Sequence, residues 1–141
     1  MDSKYIDKKP LFGWQLEHIF FFDGNSKGIA WTIQTNNSSI EQKREHADIY
    51  LDKVTIQQSK YIAMHVGLFW GIGRFIIKDK DIITVKIDDK SMFNQLSKIE
   101  NPSDEFIKTK INFVTQLIAQ RNLKINFVFV DEKENFTSKL L

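Results

Sequence analysis

The segment Leu16–Asn25, LEHIFFFDGN, decides how the rest of the chain is interpreted. Aromatic and aliphatic residues dominate it as far as Phe22, which is typical of a central, buried strand. Asp23, Gly24 and Asn25 follow as a turn signal, because these residue types readily accept the backbone conformations of turns. We therefore expect a first, central strand that stops at Asp23.

Two more strands are expected after this turn. Gly28 to Thr35 has apolar residues in loose alternation and stops at a run of Asn and Ser. The stretch from Ala47 to Ile56 places Ile49, Leu51 and Val54 between polar residues, which is the pattern of a half-buried strand. We predict three consecutive antiparallel strands, the third over residues 47–56.

From Ser59 the apolar residues recur at intervals of three and four, which predicts a helix. Gly67, Gly71 and Gly73 each weaken a helix by roughly 1 kcal/mol relative to alanine, so we expect them to permit close packing. Packing against the chain's own sheet is the favoured interpretation. A self-association surface that includes Phe69 and Trp70 is the alternative.

The remaining pattern predicts a second half in which helices and strands alternate. It comprises a strand at 81–87, a short helix at 89–97, a helix from a Ser103 cap to about Asn122, a strand at 123–130 and a short terminal helix from Asp131. Three strands in a meander followed by this alternation indicate an α/β fold with a mixed five-stranded sheet and helices on both faces. Residues 1–15 are expected to form a polar arm and the start of the first strand, and residues 16–141 a single domain.

Bulk properties exclude several classes of protein. The chain has no cysteine, which rules out a disulfide framework and a thiolate metal site and favours a reducing, cytoplasmic setting. The N-terminus lacks the apolar core of a signal peptide, and no apolar run is long enough for a membrane span, so we expect no membrane partner. A formal net charge of +2 is too small to argue for nucleic acid by itself.

Four short motifs occur in a recognisable order. They are Asp23–Gly28, Gln57–Ala63, Asp88 with the later Asn94-Gln95-Leu96, and Val130–Leu140. Together they resemble the motifs of type 1 ribonuclease H, over a region from Ile19 to the C-terminus, and this resemblance implies the ribonuclease H fold. The chain departs from the family after Gly28, where no Gly-Pro-Gly segment precedes the second strand. The family's histidine near the last motif is also missing.

The resemblance implies a site in which four carboxylates hold two divalent metals. Asp23 and Asp88 occupy two of the four positions, whereas Lys60 and Lys139 fall on the other two. Magnesium binds oxygen ligands, and two-metal hydrolysis needs two such ions about 4 Å apart. We therefore expect a degenerate cluster of Asp23, Lys60, Asp88 and Lys139 in which the lysines neutralise the acids. No residue is assigned as catalytic and no metal is expected; if one binds, Asp23 and Asp88 are its ligands.

Two functions follow from this site. The favoured one is a catalytically inactive module that needs no cofactor and binds an RNA/DNA hybrid, another nucleic acid or a protein partner. The alternative is an active nuclease on RNA/DNA hybrids that uses Mg²⁺ or Mn²⁺ with Asp89, Asp131 or Glu134 as replacement ligands. An unrelated mixed-sheet domain also remains open, with Asp23 and Asp88 as turn residues and both lysines in solvent.

Overall fold

The computed structural model describes residues 15–141, so the predicted N-terminal arm, apart from Gln15, lies outside the described residues. Five strands form one mixed sheet in the order β3-β2-β1-β4-β5. They are β1 (Glu17–Gly24), β2 (Gly28–Thr35), β3 (Ser38–Glu45), β4 (Ile82–Ile87) and β5 (Lys124–Phe129). The β1–β2 and β2–β3 pairs are antiparallel, and the β1–β4 and β4–β5 pairs are parallel. The predicted fold class is confirmed.

Each helix starts at a polar cap. The helices are α1 (Ile56–Gly73), α2 (Lys90–Leu96) and α3 (Glu105–Gln120), followed by two 3₁₀ helices, Glu132–Glu134 and Phe136–Leu140. Thr55 and Gln58 form a capping box at α1, and Asp89 caps α2. The cap of α3 is Asp104, not the predicted Ser103, because the Asp104 carboxylate accepts bonds from two N–H groups of the first turn. Within residues 15–141, no helix is long and apolar enough to cross a membrane.

The third strand does not lie where the apolar pattern placed it. β3 follows a tight turn in which Asn36 has a φ of 54°, and residues 48–54 form turns and a bend before α1. β3 is an edge strand with a single apolar residue, Ile40, so no buried face marks it in the sequence. Ile49, one of the apolar residues that suggested a strand, is 70% exposed. The prediction for 47–56 was therefore wrong.

The sheet is covered on both faces. Helix α1 packs on β1 and β2 from one side, and the 3₁₀ helix Phe136–Leu140 contacts the same strands. A Cβ atom at Gly67 would lie 2.7 Å from Phe20 Cζ, and one at Gly71 would lie 2.9 Å from Ile33 Cδ1. Gly67 and Gly71 therefore bring α1 against its own sheet, which is the packing that we favoured. The prediction was wrong for Gly73, because a Cβ atom there would meet nothing within 4 Å.

Candidate functional site

Two acidic residues meet at the carboxyl edge of the central strands. β1 and β4 are parallel neighbours, so their carboxyl ends lie at the same edge of the sheet. Asp23 is the next-to-last residue of β1, and Asp88 directly follows β4. Such an edge is where open α/β sheets commonly place their functional side chains.

The N-terminus of α1 is held against this edge. Gly24 makes the approach possible, because a Cβ atom there would lie only 2.3 Å from Ser59 Oγ. His46 Nε2 lies 2.8 Å from Ser59 Oγ and 3.0 Å from the carbonyl oxygen of Asn25. These contacts tie the start of α1 to the turn after β1, and they place the next residue, Lys60, beside the acids.

Lys60 joins the two acids in one ion cluster. Its Nζ lies 2.7 Å from Asp88 Oδ1 and 3.7 Å from Asp23 Oδ1. The side chain of Lys60 is 11% exposed, that of Asp88 3% and that of Asp23 14%. Burial alone would lower the pKa of the Lys60 ammonium, but the hydrogen bond and charge of Asp88, with the charges of Asp23 and Asp89, raise it above its usual value. Lys60 is therefore a cation at neutral pH.

Every carboxylate oxygen of the two acids accepts a hydrogen bond or faces the ammonium. Asp23 Oδ1 accepts a 2.8 Å bond from the Gly24 N–H, and Asp23 Oδ2 accepts a 2.6 Å bond from Ser138 Oγ. Asp88 Oδ2 accepts a 2.9 Å bond from Asn135 Nδ2, whereas Asp88 Oδ1 faces Lys60. Asn135 and Ser138 come from the C-terminal segment, which thus completes the cluster. The sequence placed both residues only within the last motif, Val130–Leu140, and did not reveal their contacts with the acids.

Lys139 does not join the cluster. Its side chain is exposed, and within residues 15–141 no ion pair connects it to an acid. The last element is a 3₁₀ helix with three residues per turn, so Asn135 and Ser138 face the acids together and Lys139 is turned away. The expectation of two neutralising lysines is corrected to one, and two carboxylates with one ammonium leave a formal charge of about −1.

The candidate replacement ligands have other partners. Asp89 caps α2 by accepting a 3.0 Å bond from the Met92 N–H, and it also binds the side chain of Gln57. Asp131 caps the first 3₁₀ helix, and Glu134 completes that capping box from an exposed position. In the described part of the chain, no three His, Asp or Glu side chains are grouped as a metal site would group them.

The donor set bears directly on the magnesium that the family resemblance implies. A two-metal site uses carboxylates as both ligands and counter-charges. Here an ammonium lies within reach of both remaining carboxylates, and an ammonium cannot coordinate a metal. These residues, as they are arranged, do not fit a pair of divalent cations.

The topology and the position of the cluster define a ribonuclease H-like fold. The N-terminal ribonuclease H domain of Rv2228c from Mycobacterium tuberculosis superposes with a TM-score of 0.74 at 17% identity, covering 89% of this chain and 91% of that one. Ribonuclease H1 of the archaeon Halobacterium salinarum gives 0.69 at 14% identity, covering 90% and 93%. LC11 ribonuclease H1, isolated from compost and solved with an RNA/DNA hybrid, gives 0.70 at 13%, covering 89% and 93%.

No family model and no curated protein sequence matches the chain, so the likeness is one of structure. It confirms the predicted ribonuclease H-like fold.

Proposed function

We propose that this chain is a non-hydrolytic ribonuclease H-fold module that binds RNA/DNA hybrids without a metal cofactor. The observation that carries the proposal is the position of Lys60 Nζ, 2.7 Å from Asp88 and 3.7 Å from Asp23. The ammonium supplies positive charge to the two acids, and it does so without the open coordination positions that activate water.

Electrostatics supports the proposal that Lys60 excludes a metal ion. Unit charges about 4 Å apart interact by about 4 kcal/mol at an effective dielectric of 20, so a cation bound beside Lys60 would face strong repulsion. Lys60 would have to leave its contact with Asp88, which is almost fully buried. A divalent ion would also displace the donors Ser138 and Asn135 from the carboxylates.

Hybrid binding is supported by the shared fold and by the charge at the edge of the cluster. LC11 ribonuclease H1, which has this fold, was solved in complex with an RNA/DNA hybrid. In this chain Lys139 is exposed and directly follows Ser138, whose hydroxyl binds Asp23. We therefore assign Lys139 a different role from the one expected from the sequence: its ammonium contacts a backbone phosphate of the bound duplex.

The replacement-ligand alternative has less support. Asp89 serves as a helix cap and binds Gln57, and Asp131 and Glu134 form a capping box with one another. Recruiting any of them to a metal would break these local bonds and still leave Lys60 between the acids.

The test combines binding and cleavage of one labelled RNA/DNA hybrid. Fluorescence anisotropy is measured in EDTA and in magnesium over a series of salt concentrations, and the same samples are then analysed for cleavage. We expect binding in EDTA that magnesium does not strengthen, affinity that falls as salt rises, and intact RNA. Cleavage that is lost in Asp23→Asn would overturn the claim of inactivity. Absence of binding at low salt would overturn the claim that the chain binds RNA/DNA hybrids and would favour a protein partner.

A further inference from the structure

A second group of side chains lies away from the Lys60 cluster, between β3 and the C-terminal end of α1. Arg44 on β3 pairs with Ile29 on β2, and paired residues point to the same face of the sheet. Trp31 lies two residues after Ile29, so its side chain points to that face too, since side chains alternate along a strand. Arg44 Cζ lies 5.3 Å from the centre of the Trp31 ring, and the rings of Trp31 and Trp70 are 5.8 Å apart. Arg74, which ends α1, has its Cζ 5.3 Å from the Trp70 ring. We call Arg44, Trp31, Trp70 and Arg74 the arginine–tryptophan cluster.

This cluster offers many hydrogen-bond donors and lacks acceptors. Both arginines are exposed, and within residues 15–141 neither forms an ion pair with a carboxylate. Arg44 Nη1 donates to its neighbour's carbonyl, that of Lys43. The indole Nε1 atoms of Trp31 and Trp70 are buried without any hydrogen-bond partner. A buried donor left unpaired is costly, so an acceptor from outside the chain would stabilise this arrangement.

We propose that the arginine–tryptophan cluster binds a phosphate group. Guanidinium groups match the oxygens of a phosphate in two-pronged hydrogen bonds, and the two indole N–H groups add donors of a second kind. A phosphate offers up to four acceptor oxygens to these donors, whereas a carboxylate offers two. The arginine side chains are exposed, so a phosphate can reach the guanidiniums from solvent.

The proposed phosphate site shares no residue with the Lys60 cluster, and its Arg74 end lies far from that cluster. Lys60 and Arg74 are separated along α1 by fourteen residues, which corresponds to about 20 Å at 1.5 Å per residue. The two sites can therefore be disabled one at a time. The phosphate can come from a phosphomonoester, including free phosphate, or from the phosphodiester backbone of a nucleic acid, and the experiment below has one arm for each source.

The test follows the indole N–H signals of the ¹⁵N-labelled protein by nuclear magnetic resonance. Inorganic phosphate is titrated in one arm and a short single-stranded oligonucleotide in the other, both at constant ionic strength. The signals of Trp31 and Trp70 are expected to shift, and the shifts are expected to saturate as ligand is added. The variants Trp70→Phe and Trp14→Phe each remove one indole signal, which assigns the signals without altering Trp31.

Charge variants decide whether the arginines bind the ligand. Arg44→Gln and Arg74→Gln should each weaken binding about tenfold, because each removes a hydrogen bond from a charged donor. Lys43→Gln is the matched control, because it removes the same charge from the adjacent residue on the other face of β3. Saturating shifts with phosphate alone identify a phosphomonoester or free phosphate, and shifts with the oligonucleotide alone identify a phosphodiester. No shift in either arm, or equal weakening by Lys43→Gln, would overturn the proposal.

Discussion

Replacing Lys60 with methionine is expected to lower the free energy of unfolding by about 3 kcal/mol. Methionine is also unbranched and only one atom shorter, but it leaves Asp88, whose side chain is 3% exposed, without its ammonium partner at 2.7 Å. Breaking a buried ion pair in this way costs about 3–5 kcal/mol. We expect the lower end of that range because Asn135 still donates to Asp88 and because Asp23, at 14% exposed, retains contact with water.

The assay is thermal unfolding of the parent, Lys60→Met and Lys139→Met. An unfolding entropy of about 2.1 cal/mol/K per residue converts 3 kcal/mol into a drop of roughly 10 °C for a chain of 141 residues. Lys139→Met is the matched control, since Lys139 is exposed and outside the cluster, and it should stay within about 0.5 kcal/mol of the parent. Equal melting temperatures for the two variants would refute the claim that Lys60 compensates the acids.

The pH dependence of the stability difference between the parent and Lys60→Met gives an independent check. Because the folded protein raises the pKa of Lys60, the stability that the ammonium contributes is fully present below the usual lysine pKa of 10.5. It is lost as the pH rises through the higher pKa of the folded state. The gap between the parent and Lys60→Met should therefore be constant from pH 7 to about 10 and should narrow above that range. A gap that vanishes already at pH 8 would contradict this account.

Three further results are expected. Lys139→Ala should weaken hybrid binding and reduce the salt dependence of the affinity by the equivalent of about one phosphate contact, without changing the melting temperature. An unchanged affinity would show that Lys139 does not contact the hybrid. Burial, with the charge of Lys110, lowers the pKa of His65, so the unfolding free energy should fall as the pH drops below 6.5. In urea titrations, His65→Gln should reduce this fall; identical pH profiles for the parent and the variant would contradict the role of His65. Gly67→Ala should destabilise the protein by about 1–3 kcal/mol through overpacking. Gly73→Ala, whose Cβ meets nothing within 4 Å, should stabilise it by up to about 1 kcal/mol. Equal changes in the free energy of unfolding for the two variants would contradict the packing of α1.

The parts of the fold that the sequence predicted are those with a strong apolar signal. β2 runs over Gly28–Thr35, as the pattern indicated, because its residues from Gly28 to Ile33 are buried. β3 was missed because an edge strand has little to bury, and its register is fixed instead by the turn at Asn36. The apolar residues between β3 and α1 form a turn region, and spacing alone cannot distinguish such a turn region from a strand.

The candidate site was predictable wherever regular elements position its residues. Asp23 and Asp88 follow from the ends of two strands, and Lys60 follows from the register of α1. The motif match expected Lys139 at the site, but the final element is a 3₁₀ helix, and its tighter turn directs Ser138 to the acids. The difference between 3.6 and 3.0 residues per turn is small enough that five residues of sequence do not reveal it.

The most direct test of the central claim is calorimetric titration of Mg²⁺ into the parent and into the double variant Lys60→Glu with Ser138→Asp. This variant adds two carboxylates beside Asp23 and Asp88, which makes four in all, and mutual repulsion makes such a cluster dependent on bound cations. We predict no uptake of Mg²⁺ by the parent and measurable uptake by the folded double variant. Uptake by the parent that disappears in Asp23→Asn would contradict the account, because Lys60 would then not stand in for the metal.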